Sequence, residues 1–199
     1  MSAPPLILAS GSPRRLDLLQ ELGLKFQVIV GKADEIQPEH LTPHEICQIN
    51  AYRKARAVAK KHPDALVLGA DTIVCLGTQV FGKPADRVEA ARMLGLLQGR
   101  THEVLTGVCL LLLREHRRRL FAVSTSVTFR PLHSPDILKY LARINPLDKA
   151  GAYAIQEHGE MVVETIEGSF SNVVGLPLER LRAELDAWDL SNQPSELER

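Results

Sequence analysis

Ser10-Gly11-Ser12-Pro13-Arg14-Arg15 places two hydroxyls and two guanidiniums in a short loop that opens a helix. Such a loop turns backbone N–H groups toward the positive end of a helix, and the side chains add donors matched to phosphate oxygens. Ser10, Ser12, Arg14 and Arg15 are therefore candidate phosphate ligands; the plain alternative is a capped helix whose arginines are solvated. Asp71 stands in Gly69-Ala70-Asp71-Thr72-Ile73-Val74, after a second apolar run. An acidic residue at the carboxyl end of a buried parallel strand lies where open α/β sheets place their ligands, although it also suits a turn in which it accepts from backbone donors. Lys54 falls inside a helix, Lys83 in the turn Gly82-Lys83-Pro84, and Glu35 in the pair Asp34-Glu35. Each alone reads as a solvated surface residue. As a set they are carboxylates and fixed cations on segments able to converge. Carboxylates repel a polyphosphate unless a hard cation lies between them, so the set implies Mg²⁺ or Mn²⁺.

The elements that must position these groups are legible from periodicity. Leu6 to Ala9 reads as a buried strand feeding the loop, and Pro13 opens a helix with Leu16, Leu19 and Leu22 on one face and Gly23 at its end. Phe26 to Val30 is a second strand. Thr42, Pro43 and Glu45 predict an N-cap, first position and capping box for a helix reaching about Lys61, which carries Lys54. Leu66 to Ala70 is a buried strand leading into Asp71, and Asp86 with Glu89 caps another helix. Val104 to Leu113 and Leu120 to Phe129 read as paired strands around a basic tip, Arg114 to Arg119. Ser134 and Pro135 start a further helix, residues 160–166 form a strand, and Pro177 begins a closing helix that ends near Trp188. Alternating strands and helices followed by adjacent strands predict an α/β fold with a mixed β-sheet and flanking helices. One domain over 1–188, folded as two lobes around a cleft, is expected, with a polar, disordered tail over 189–199.

Composition narrows the partners. Among 199 residues, 24 basic and 24 acidic side chains cancel, so no long-range field draws nucleic acid or an anionic membrane. The arginine-rich tip carries no aromatic residue for stacking and reads as a solvated hairpin end. Cys47, Cys75 and Cys109 form no CxxC pair, which suits a reducing compartment. No apolar run is long enough for a membrane span or signal-peptide core, and a cytoplasmic protein is expected. GxxxxGK[ST], GxSxG and HExxH are all missing, and the seven histidines show no metal-ligand spacing.

In order and spacing, several segments resemble the Maf family of nucleotide pyrophosphatases. They are Ser10 to Arg15, Arg53-Lys54-Ala55, Gly69 to Val74, Gly82-Lys83-Pro84, Gly99 to His102, Asp148 to Tyr153 and Gly168 to Pro177. The resemblance implies a fold like that of the inosine-triphosphate pyrophosphatases. It implies hydrolysis of a nucleoside triphosphate to monophosphate and pyrophosphate with a divalent metal, in a homodimer. Asp71 would accept the proton of the attacking water and share the metal with Glu35. Ser10, Ser12, Arg14, Arg15, Lys54, Lys83 and Lys149 would hold phosphates. Asp148 to Gln156 resembles the branch acting on dTTP and UTP, in which Arg14, Thr72 and Gln156 set the substrate. The alternatives are the sister branch acting on 7-methyl-GTP, usually more polar in this stretch, and a non-hydrolysing nucleotide-binding regulator of cell division, which would lack a carboxylate such as Asp71. Two departures from the family pattern stand out: Ala154 where many relatives have glycine, and Ile49-Asn50 before Ala51 where Leu-Ala is commoner. Neither is expected to touch a catalytic group, and Ala154 is expected to narrow the base pocket.

Overall fold

The computed structural model describes residues 3–188, so the expectation for the tail lies outside the described residues. The elements in chain order are β1 (Leu6–Leu8), α1 (Pro13–Gln20), β2 (Phe26–Val28), α2 (Pro43–Ala59), β3 (Leu66–Leu76), β4 (Gln79–Phe81) and α3 (Arg87–Leu97). They continue with β5 (Thr101–Leu112), β6 (Arg117–Phe129), α4 (Ser134–Leu141), β7 (Val163–Glu167), α5 (Phe170–Val174) and α6 (Leu178–Asp186), with 3-10 turns at Ala150–Ala152 and Gly159–Met161. The strands form a seven-stranded sheet in the order β2-β1-β3-β5-β6-β7, with β4 paired to β3. β1 runs parallel to both β2 and β3, whereas the β3–β4 and β6–β7 pairs are antiparallel, which makes the sheet mixed as expected.

Contacts divide the chain into two compact units. Among the described residues, one holds 3–71, Thr106–Val123 and 175–188; the other holds Thr72–Leu105 and Ser124–Val174. The first has a core of Ile7, Ala9, Ala51, Ala55, Val58, Val67 and Cys109. The second packs Val74, Phe81, Leu94, Leu97, Phe129, Tyr140 and Tyr153. All three cysteines are buried and none forms a disulfide. No described helix is long and apolar enough to cross a membrane.

Local signals were sound where they concern helix starts. Thr42 Oγ1 accepts from Glu45 N at 3.3 Å, and the Glu45 carboxylate accepts from Thr42 N at 2.8 Å, a complete capping box for α2. Asp86 accepts from Glu89 N at 2.8 Å, but Glu89 turns to Ala85 N rather than closing a box on Asp86. α1 ends at Gln20 and buries Leu18 and Leu19, so that of the expected Leu16, Leu19 and Leu22 face only Leu19 is fully buried; Gly23 takes φ 69° just beyond it. β2 stops at Val28, β4 and α5 carry no periodic signal of their own, and β7 begins at Val163 because residues 159–161 form a tight turn. Arg117 to Arg119 belong to β6, so the hairpin tip is shorter than the basic run. The largest correction concerns β3. It continues to Leu76, so Asp71 lies within a strand, yet it lies beyond Leu68, where the parallel pairing with β1 ends.

α2 lies unusually close to the sheet, and two glycines permit it. A Cβ at Gly69 on β3 would collide with Ala51 O and come within 2.7 Å of Ala55 N. One at Gly107 on the neighbouring strand β5 would collide with Cys47 and come within 2.7 Å of Gln48 N. Cys47, Ala51 and Ala55 recur every four residues, so one face of α2 carries only small side chains toward these glycines. We expect Gly69→Ala to lower the unfolding free energy by about 1–3 kcal/mol through overpacking. Gly95→Ala, on α3 with open space around its Cβ, should instead stabilise by about 0.5–1 kcal/mol. Urea denaturation of both variants decides; a neutral Gly69→Ala would mean that α2 can lift without cost.

Candidate functional site

Asp71 is the buried centre of a cluster in the first unit, with 4% exposure. Its Oδ1 accepts from Lys54 Nζ at 2.6 Å and its Oδ2 from Asn50 Nδ2 at 3.2 Å. Both donors come from α2, one turn apart, so the close approach at Gly69 brings them to β3. Lys54 Nζ also donates to Glu35 Oε1 at 2.7 Å. One ammonium therefore bridges two carboxylates, one buried and one exposed.

Glu35 sits in a segment without regular secondary structure, and α2 holds that segment too. The Asn50 amide accepts from Ile36 N at 2.9 Å and donates to Ile36 O at 3.0 Å, pairing with the backbone as a neighbouring strand would. Arg53 Nε adds a bond to Asp34 O at 3.2 Å. Asn50 was expected to touch no catalytic group; the structure overturns that, since Asn50 joins the Asp71 carboxylate to the Glu35 segment. The available signal was its position four residues before Lys54 on one helix, a polar residue beside a face of small ones.

The loop Ser10 to Arg15 connects β1 to α1 as predicted. Ser10 is buried, and its Oγ accepts from Ser12 N at 3.2 Å and from an Arg15 Nη at 3.3 Å. Arg15 Nε donates to Gly175 O at 2.8 Å, tying the loop to the segment before α6. Arg15 thus has structural duties, and its neighbour Arg14 is half-buried. Burial lowers the Arg15 pKa, Asp71 opposes that, Arg14 adds to it and Glu35 opposes it, but a guanidinium stays charged throughout. Ser12 occupies the N-cap position of α1, and its hydroxyl makes no capping bond.

The remaining candidates belong to the second unit. Thr72 follows Asp71 on β3, and strand alternation directs its side chain to the opposite face. Lys83 is exposed in its turn, where Gly82 O accepts from Gly151 N at 3.1 Å. Lys149 is buried, and its ammonium meets Asn145 O at 2.9 Å, Asp148 Oδ1 at 2.9 Å and Glu157 Oε1 at 3.2 Å. Three acceptors match its three N–H bonds, all from its own segment. Gln156 is exposed, in an irregular stretch between the two 3-10 turns.

A family model described as Maf-like protein matches residues 5–188. The chain belongs to the Maf family. Among its relatives, a dTTP/UTP pyrophosphatase of Akkermansia muciniphila is 46% identical over 175 residues, covering 88% of this chain and 92% of the relative. One of the same name from Pelotomaculum thermopropionicum is 48% identical over 176 residues, 88% of this chain and 92% of its own. Solved structures of Ham1 proteins share the fold. That of Staphylococcus aureus superposes with a TM-score of 0.51 at 15% identity, covering 92% of this chain and 98% of its own. That of Coxiella burnetii gives 0.52 at 17%, covering 92% and 99%.

Within this Maf chain the donor set at Asp71 and Glu35 is all oxygen, two carboxylates meeting at one cation, which suits a hard divalent ion. No group of three or more His, Cys, Asp or Glu gathers among the described residues, so such an ion would draw its other ligands from phosphate oxygens and water. Lys54→Met keeps the stem but leaves the Asp71 oxygen without its cation. We expect it to cost about 1–3 kcal/mol of stability, mostly from the buried Asp71 side, because Glu35 is half exposed and solvent-screened. Chemical denaturation measures it; a change below about 0.5 kcal/mol would show that the bridge is not formed in solution.

Proposed function

We propose that this chain is a nucleoside-triphosphate pyrophosphatase that hydrolyses dTTP and UTP to the monophosphate and pyrophosphate. The observation that carries the reading is the buried Asp71 carboxylate sharing Lys54 with Glu35, in a chain 44–49% identical to relatives named for that activity. A carboxylate held in a fixed position can take a proton from water, and the adjacent Lys54 ammonium can neutralise charge that develops beside it.

In this mechanism Asp71 accepts a proton from a water molecule as its oxygen bonds to the α-phosphorus. The bond from the α-phosphorus to the bridging oxygen breaks, and pyrophosphate leaves with that oxygen. Lys54 stays beside Asp71 and faces the developing charge. Ser10, Ser12 and Arg14, at the start of α1, bind phosphate oxygens, while Arg15 holds Ser10 in place. The same reading assigns Lys83 to the phosphates. Asp71 and Glu35 would hold a Mg²⁺ or Mn²⁺ ion, which when bound supplies charge neutralisation and stabilises the leaving pyrophosphate. We further propose cytoplasmic action as a homodimer.

Arg14, Thr72 and Gln156 select the substrate on this reading. Uracil and thymine offer an N3–H donor beside an O4 acceptor, which a glutamine amide meets with its oxygen and its nitrogen. Cytosine reverses the pattern. A freely rotating amide would satisfy either base by flipping, so Gln156 discriminates only if its surroundings hold it.

The deciding experiment measures pyrophosphate release with Mg²⁺ from a panel of standard and modified nucleoside triphosphates. We expect dTTP and UTP to be the best standard substrates. Orthophosphate as product would overturn the mechanism, strong preference for 7-methyl-GTP would move the chain to the sister branch, and binding without turnover would favour a regulator. Asp71→Asn, an isosteric change, should abolish turnover in a protein that still folds. A variant that keeps more than about a tenth of the rate would remove Asp71 from the role of general base, since such bases supply about 10²–10⁴-fold.

A further inference from the structure

Gln156 lies in a stretch, residues 153–158, with no strand or helix to satisfy its backbone. Two residues before it, Ala154 is buried at 6% exposure, so water does not serve its N–H and C=O. A single hydroxyl serves both. Tyr140, fully buried on α4, donates to Ala154 O at 3.1 Å and accepts from Ala154 N at 2.9 Å. Burial pushes the Tyr140 phenol up to about 12, with the bond to Ala154 acting the other way, so it keeps the proton it donates. On either side the stretch has further anchors. The Tyr153 hydroxyl pairs with His102 Nε2 at 3.0 Å, and its ring packs edge-on against Phe129 with centroids 4.8 Å apart. Glu157 Oε1 lies 3.2 Å from the buried Lys149 ammonium.

We propose that Tyr140 is a positioning residue for base selection, its hydroxyl fixing the Ala154 backbone so that Gln156 presents its amide in one orientation. The proposal rests on the reading that Gln156 faces the base. It follows from the pinning that discrimination demands: an exposed side chain on an irregular loop is held no better than the backbone beneath it. The Lys149–Glu157 pair restrains the other side of Gln156, but it joins an exposed carboxylate, whereas the Tyr140 clasp is buried and engages both backbone groups. Ala154 therefore contributes to this clasp through its backbone N–H and C=O.

Tyr140→Phe tests this, because it removes one oxygen and leaves the ring in the core. The ratio of kcat/KM for UTP to that for CTP should narrow by about 10-fold. Saturating kcat on UTP should stay within about threefold, since no group of the Asp71 cluster changes. Amide hydrogen exchange at Ala154 should quicken in the variant without general loss of protection, a readout independent of activity. Gln156→Glu serves as control and should narrow the same ratio; adding Tyr140→Phe to it should narrow the ratio no further. If Gln156→Glu shifts the ratio and Tyr140→Phe does not, Tyr140 is a structural residue only and this proposal fails alone. If Gln156→Glu leaves the ratio unchanged, the base reading itself fails and takes the proposal with it.

Discussion

The close seating of α2 on the sheet is the constraint from which the Asp71 cluster follows. A helix normally rests on a sheet through its side chains, but here two glycines on adjacent strands, Gly69 and Gly107, meet the helix backbone itself. That approach is possible only without a Cβ on the strand and with Cys47, Ala51 and Ala55 on the helix. Its consequence is chemical. With Ala51 and Ala55 seated over Gly69, the adjacent positions 50 and 54 reach the residue two further along β3, which is Asp71. Lengthening the separation by a methyl group would move both donors away from the carboxylate together.

Electrostatics then decides what sits between the carboxylates. Asp71 and Glu35 would repel one another and any phosphate, and Lys54 lies within hydrogen-bond distance of both. A buried carboxylate is tolerated only when such partners compensate its lost hydration. In the structure described here that compensation comes from the Lys54 ammonium and the Asn50 amide.

A second device appears twice. Glu35 and Gln156 both belong to irregular segments, and each segment is held by one buried side chain from a helix that satisfies the N–H and C=O of a single residue. Asn50 does this for Ile36 and Tyr140 for Ala154. In both cases a side chain replaces the strand neighbour that the backbone lacks, which meets the demand that buried peptide groups be paired. Loops of this kind can carry exposed functional groups and still keep a defined geometry.

What the sequence determined by itself is what operates over three or four residues. Thr42 with Glu45 marks the start of α2, Pro13 the start of α1, and the serine- and arginine-bearing loop between β1 and α1 is legible because capping and turn chemistry are local. The motif order identified the family and pointed to Asp71, Lys54 and Glu35. The tertiary structure alone decided which groups meet. Asn50 reaches a carboxylate 21 residues away, Tyr140 a peptide group 14 residues away, and Arg15 a carbonyl 160 residues away. No periodicity encodes such pairs. Lys149 reads in sequence as one more basic residue in a family motif, yet its ammonium is engaged by its own segment. The reason is burial, which makes a charged group take whatever acceptors packing brings within reach.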